Sequence, residues 1–142
     1  MEKIIYALWA QPGEDRDTFG KRLREEMAPR LLEIGARGLQ LNLRDSDVAE
    51  PTQMDMDPIN LNLDAVAHVW VDSGVNELHQ PFDDLLKEYA SRICGYLVCE
   101  SLPYPNTEFP TKSGERTPGL AQTVFMKRPP RLAPEAWMDL WH

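Results

Sequence analysis

Apolar residues recur along this chain with two spacings, one typical of strands and one typical of helices. Residues 3–9 are largely β-branched or aromatic and precede a Pro-Gly pair, which predicts a short strand and a turn. From Asp17, the expected N-cap, an apolar stripe predicts a helix that kinks at Pro29 and ends at Gly35. Its members follow helical spacing: Phe19, Leu23, Met27, Leu31 and Ile34.

Two strands, a second helix and a third strand are predicted next. Residues 39–43 alternate leucines with polar residues, and residues 65–72 form a second strand with Val66, His68 and Trp70 on one side. Pro81 is expected to open a helix that Gly95 closes, and its stripe is Phe82, Leu85, Leu86, Tyr89 and Ile93. Residues 96–101 then form the last strand.

This order, β-α-β-β-α-β, predicts an α+β fold, the ferredoxin-like sandwich. Because each right-handed crossover returns to the same side, both helices are expected to cover one face of a four-stranded antiparallel sheet. The other face remains bare. Such a face normally packs on a second sheet or holds a ligand, so we expect dimerisation or internal duplication.

The end of the chain repeats its beginning, which favours duplication. Residues 122–126 and Pro129 correspond to residues 4–9 and Pro12, and Trp137 corresponds to Phe19. We therefore divide the chain into a ferredoxin-like repeat at 1–101, a Pro-rich linker at 102–118 and an incomplete second repeat at 119–142. The last part is expected to hold a strand, 120–126, and the start of a helix near Pro134.

An interrupted copy implies either that the chain is a fragment or that chains associate. In the copy, Trp141 takes the position of Leu23 and the sequence ends at His142. The expected partner of the first repeat is thus a second copy of the chain, in a homo-oligomer, or a missing second repeat.

Composition and charge narrow the function classes. The 142 residues are 42% hydrophobic and 27% charged, which predicts one soluble globular domain. A net charge of −8 repels phosphate backbones and anionic membranes, so neither nucleic acid nor a membrane is an expected partner. No window approaches the ~20 apolar residues of a membrane span and no cleavage-site pattern appears, so we expect a cytoplasmic protein.

Cysteine and histidine spacing gives no metal site. Cys94 and Cys99 are interpreted as buried free thiols. His79 and Asp83 have helical spacing on a polar face, but two ligands do not specify a metal, and a surface pair is the preferred interpretation.

The bare sheet face supplies the candidate ligand site. If the leucines of residues 39–43 point to the helices, then Asn42 and Arg44 point the other way, and alternation could also place His68 and Trp70 there. Depending on register, the outer strands add the remaining candidates: Tyr6, Tyr96 and Glu100. This mixture predicts a small-molecule pocket or a moderately polar interface. His68 could act as a general base or simply be a hydrogen-bonded interior histidine.

The C-terminal residues also carry a family resemblance. The string VFMKRPPRLAPEAWMDLW, residues 124–141, resembles the opening strand and helix of EthD-like proteins, in the dimeric α/β barrel superfamily. In that family a histidine lies four residues beyond the tryptophan. Here Leu23 and Met27 take these two positions in the first copy, and in the second the histidine position falls past His142.

The resemblance implies a barrel that binds a small apolar or aromatic metabolite without a cofactor. Such a protein would be a monooxygenase-pathway accessory, or a cofactor-free lyase or dehydratase. A barrel of low dielectric constant would shift the pKa of one His or Tyr and stabilise an enolate, which makes His68 with Tyr96 the candidate catalytic pair. The alternative is a non-catalytic ligand-binding or structural barrel protein, and Met27 in the family's histidine position favours it.

Overall fold

The fold is a four-stranded antiparallel sheet with helices on one face, as the sequence predicts. The structure, a computed structural model, describes residues 1–48, 61–119 and 121–140. The strands are β1 (Glu2–Trp9), β2 (Gly38–Leu43), β3 (Ala65–Val71) and β4 (Arg92–Val98), and their order across the sheet is β2-β3-β1-β4. All three pairings are antiparallel, and the sheet is not closed. This strand order is that of the ferredoxin-like fold.

The core lies between the sheet and the helices. Ile4, Tyr6 and Leu8 project from β1 toward the helices because side chains alternate along a strand. The predicted helical stripes meet them there, although Ile34 at the end of the first stripe is 43% exposed. The buried members are Phe19, Leu23, Met27, Leu31, Phe82, Leu85, Leu86 and Tyr89. Burial of these side chains is the main source of stability for the unit.

The first helical region contains a π-helical turn. Helix α1 (Arg16–Arg22) runs into a π-helix, Leu23–Met27, and then into α2 (Ala28–Glu33). The N-cap is Asp15, not Asp17, since the Asp15 carboxylate accepts from the backbone N–H of Thr18 at 2.9 Å. The wider turn precedes Pro29, which has no backbone N–H to donate.

The second helix begins and ends earlier than predicted. Helix α3 (Asn76–Tyr89) contains Pro81 in its interior, and no side chain caps its start. Ile93 and Gly95 belong to β4 instead of closing the helix. An apolar residue spaced four from Tyr89 fits a helical stripe, yet in the strand Ile93 packs against the same core.

The C-terminal region forms a helix but not the predicted strand. Helix α4 (Pro134–Asp139) lies where the sequence indicates, and Trp137 is partly buried. Residues 121–126 form no strand, because no described strand pairs with their backbone. Three residues of these predictions lie outside the described part: Leu120, Trp141 and His142. Among the described residues, no helix is long and apolar enough to cross a bilayer.

Candidate functional site

The sheet face opposite the helices, which we call the open face, collects most of the predicted site residues. Strand register arranges them in rows that run across the sheet. The central row is Gln40, His68, Ile5 and Tyr96, and the row beside it is Asn42, Val66, Ala7 and Cys94. A third row consists of Gly38, Trp70, Lys3 and Val98. Asn42, His68, Trp70 and Tyr96 therefore share one face.

Two amides orient the imidazole of His68. The Gln40 side-chain amide donates to Asn42 Oδ1 at 3.1 Å, which leaves Asn42 Nδ2 to face His68 Nε2 at 3.3 Å. Because Nδ2 can only donate, Nε2 accepts. A neutral imidazole held this way carries its proton on Nδ1.

The other ring nitrogen of His68, Nδ1, is buried. Nδ1 has no hydrogen-bond partner among the described residues. Burial lowers the pKa of His68 from 6.5, and the nearby positive charge of Lys3 lowers it further. The structure therefore holds a neutral imidazole with a hydrogen-bond donor that the described part of the protein leaves unused.

Charged and aromatic groups border one side of this imidazole. The Lys3 ammonium lies 4.4 Å from the ring centroid of Trp70 and donates to Glu100 Oε1 at 2.7 Å. Trp70 Nε1 donates to the other oxygen of Glu100 at 2.9 Å. These contacts, the one from Lys3 first, lower the pKa of Glu100. The ring centroids of Trp70 and His68 are 6.4 Å apart.

Tyr96 lies on the same face but does not contact His68. Ile5 stands between them in the central row, so their backbones are separated by two strand spacings, about 10 Å. Cys94 Sγ and the Tyr96 hydroxyl oxygen are 3.2 Å apart, and their hydrogen bond, with burial second, raises the pKa of Tyr96. The proposed catalytic pair is thus two groups that only a bound molecule could join.

Tyr6 is on the opposite face, so its place in the predicted pocket is wrong. Alternation along β1 puts Tyr6 with Ile4 and Leu8 in the core, where it is 1% exposed. Its hydroxyl donates to Asp83 Oδ1 at 2.6 Å, and burial, followed by this bond, raises the pKa of Tyr6 far above 10.0. The neighbouring positions Ile5 and Ala7 face the open side instead.

The remaining predictions concern Arg44, the two cysteines and a metal site. Arg44 directly follows β2, and its backbone N–H donates to the carbonyl of Asp64 at 3.1 Å. The interpretation of both cysteines as buried is wrong, because Cys94 is on an edge strand and partly exposed while Cys99 lies beyond its end. The described residues contain no group of three or more His, Cys, Asp and Glu that could hold a metal ion.

Three residues on this face were not predicted from the sequence: Lys3, Thr123 and Phe125. Lys3 could have been found, since it alternates in phase with Ile5, but a lysine at a strand start is normally read as solvated. Thr123 and Phe125 could not, because they reach the face from the distant C-terminal segment. Asn42 Nδ2 approaches Thr123 Oγ1 at 3.4 Å, and the Phe125 and Tyr96 ring centroids are 5.9 Å apart.

Comparison with known proteins finds similarity at the level of structure. The chain is similar to a crystal structure of an ethyl tert-butyl ether D (EthD) family protein from Bacillus halodurans C-125. Identity is 14%, the similarity covers 71% of this chain and 100% of that chain, and the TM-score is 0.49. This is the family that the C-terminal string resembles. No protein-family model and no curated protein matches the sequence. The fold of this protein is therefore described by its own strand order and register.

Proposed function

We propose that the open face binds a small, largely apolar or aromatic molecule through an oxygen that accepts a hydrogen bond from His68. The buried Nδ1 of His68, which has no partner in the described part of the chain, carries this proposal. Leaving a buried donor unsatisfied costs about 1–3 kcal/mol, and a ligand carbonyl or enolate oxygen would remove that cost. Ile5 supplies partly exposed apolar surface beside it, and Trp70 supplies an aromatic face.

The same geometry supports one kind of catalysis. Because Asn42 engages Nε2, His68 is arranged to donate from Nδ1 and not to abstract a proton there. A fixed neutral donor in an apolar setting stabilises an enolate as negative charge develops on its oxygen. Such a donor suits the cofactor-free lyase or dehydratase chemistry implied by the EthD-like resemblance. A monooxygenase-pathway accessory or a non-catalytic binding barrel would use the same contact without turnover.

The proposal includes a second wall for the site. An open sheet face lined by His68, Trp70 and Tyr96 closes into a barrel only against a second sheet, and a second copy of this chain is the partner that we propose. Sedimentation equilibrium tests this directly. Twice the chain mass of 16.3 kDa supports it, and a monomer at all concentrations contradicts it.

A pair of matched compounds tests the ligand contact. 1-Tetralone carries an aromatic ring and a ketone oxygen, and tetralin has the same skeleton without the oxygen. We expect calorimetry to show that 1-tetralone binds about tenfold more tightly than tetralin, the value of one good hydrogen bond. His68→Phe, which keeps a ring but removes the donor, should abolish this preference.

The control is the same substitution at the other described histidine that lies off this face. His79 belongs to α3, where its Nδ1 lies 3.0 Å from the carbonyl oxygen of Gly74. His79→Phe should keep the preference for 1-tetralone. Equal affinities for the two compounds in the unsubstituted protein would contradict the proposed function.

A further inference from the structure

The C-terminal segment 121–126, which we call the strap, lies against the open face. Thr123 approaches Asn42, and Phe125 packs on Tyr96 with the two ring planes inclined at 49°. Asn42 belongs to β2 and Tyr96 to β4, the two edge strands. The strap therefore contacts both edges of the face that carries His68.

Burial alternates along the strap, as expected for an extended segment with one side against the sheet. Thr123 and Phe125 are partly buried, whereas Val124 is 61% exposed and Met126 is 51% exposed. Successive side chains of an extended chain point to opposite sides. The strap thus presents a polar and an aromatic side chain to the sheet and an apolar pair outward.

An ion-pair cluster anchors the chain just before the strap. Arg116 Nη2 lies 2.6 Å from Asp45 Oδ2 and 3.3 Å from Asp47 Oδ2. The Asp45 side chain is only 8% exposed and the Arg116 side chain is 47% exposed, so the contact is shielded from solvent on the Asp45 side. Arg116 thereby ties the linker to the chain just beyond the end of β2, near Asn42.

The strap itself is held without a backbone ladder. Within the described residues, no backbone hydrogen bond joins residues 121–126 to the sheet. Two side-chain contacts are much weaker than the paired hydrogen bonds of a sheet strand, so local opening of the strap needs far less free energy than opening of β1 or β3. The geometry describes a cover that is anchored at one end and loosely held over the site.

We propose that the strap is a displaceable cover that controls access to the open face. This inference rests on the proposed function, because that function identifies the open face as a ligand site. The experiment that tests the strap does not need a ligand. A flat ligand spanning from His68 to Tyr96 would meet Phe125 over the tyrosine ring and Thr123 beside Asn42. The strap must therefore move aside before such a ligand can bind, and its contacts reduce the apparent affinity.

The reactivity of Cys94 reports on the cover without any ligand. Cys94 is bonded to Tyr96, which lies under Phe125, and Cys99→Ser leaves Cys94 as the sole thiol. In that background we expect Phe125→Ala to raise the rate of Cys94 alkylation by iodoacetamide about fivefold, because the population of the open strap increases. Met126→Ala, a change on the outward side, should leave the rate within about twofold. Equal rates in the two variants would overturn the proposal.

Further measurements distinguish a failure of the strap proposal from a failure of the proposed function. With 1-tetralone as the probe, Phe125→Ala should tighten binding about threefold or more, and weaker binding would show that Phe125 is a wall of the site and overturn the gating role. If Cys94 becomes reactive in Phe125→Ala while 1-tetralone binds no variant, the strap controls access and the proposed function fails. If sedimentation gives a dimer and neither variant changes Cys94 reactivity, a second copy covers the face, and the strap proposal is wrong.

Discussion

Tyr6 and His68 lie on paired strands, one residue out of register, and their side chains have different surroundings. Tyr6 pairs with Ala67 on β3, directly before His68, so the two rings point to opposite faces. The hydroxyl of Tyr6 is matched by Asp83, whereas Nδ1 of His68 has no partner in the described structure. A satisfied buried group stabilises the fold, and an unsatisfied one is kept for another reason.

Removing each polar group should therefore affect stability differently. Tyr6→Phe leaves the apolar packing but removes a hydrogen bond to a carboxylate, and we expect a loss of about 1–3 kcal/mol in the free energy of unfolding. His68→Phe removes a buried donor that is unsatisfied within the described residues, but it also removes the acceptor of Asn42 Nδ2. Because these two effects oppose each other, we expect a change of less than about 1 kcal/mol in the free energy of unfolding. Urea denaturation of both variants measures this, and a larger loss for His68→Phe would mean that His68 is mainly a packing residue.

The lowered pKa of His68 predicts a specific pH dependence. In the unfolded chain His68 titrates near 6.5, and in the folded protein it titrates lower because burial disfavours the imidazolium. Below pH 6.5 the unfolded state binds more protons, so this contribution to stability is fully present above pH 6.5 and is lost as the pH falls toward the folded pKa. The unsubstituted protein should lose stability relative to His68→Phe over that window. A difference that is independent of pH, or that has the opposite sign, would contradict the pKa shift.

The two faces of β3 could be predicted from the sequence, but the face of Tyr6 on β1 and the ends of the elements could not. The alternation of Val66, His68 and Trp70 with small and β-branched residues determines which side meets the helices, and it is confirmed. The predicted ends of the helices were wrong where two sequence signals suggest different residues. Asp15 and Asp17 are both N-cap residue types, and Pro81 suggests a helix start although α3 begins five residues earlier without a side-chain cap. Periodicity alone could not separate Ile93 from the helix that precedes it.

The pairing of β1 with β4 depends on a glycine that the sequence reading placed at a helix end. Gly95 lies opposite Tyr6, and a Cβ at this position would be 2.8 Å from Tyr6 Cε1. Tyr6 is fully buried and bonded to Asp83, so its ring cannot easily move away.

Gly95→Ala should consequently destabilise the protein by about 1–3 kcal/mol through overpacking. Thermal denaturation would show this as a lower melting temperature. Gly38→Ala is the matched control. A Cβ at Gly38 would be 3.3 Å from the nearest atom, which belongs to the Trp70 side chain on the open face. A smaller effect at Gly95 than at Gly38 would contradict the close packing of β4 against Tyr6.

For the molecule as a whole, the asymmetry of the sheet follows from the order of its elements. Both crossovers return to the same side, which leaves the other face for a ligand, a partner or a cover. The sequence could predict that face and most of its side chains, including Asn42, His68, Trp70 and Tyr96. It could not predict the strap, because Thr123 and Phe125 contact strand residues that are far away in the chain. No periodic pattern in the sequence indicates such contacts.

The proposed ligand site depends most on the state of the His68 imidazole, which nitrogen-15 NMR of histidine-labelled protein reports directly. We expect the His68 signals to show a neutral ring protonated at Nδ1 with a pKa below 6.5. Addition of 1-tetralone should shift the Nδ1 resonance of His68 and leave that of His79 unchanged. A His68 ring protonated at Nε2, or a Nδ1 resonance that 1-tetralone does not shift, would contradict a ligand site on the open face.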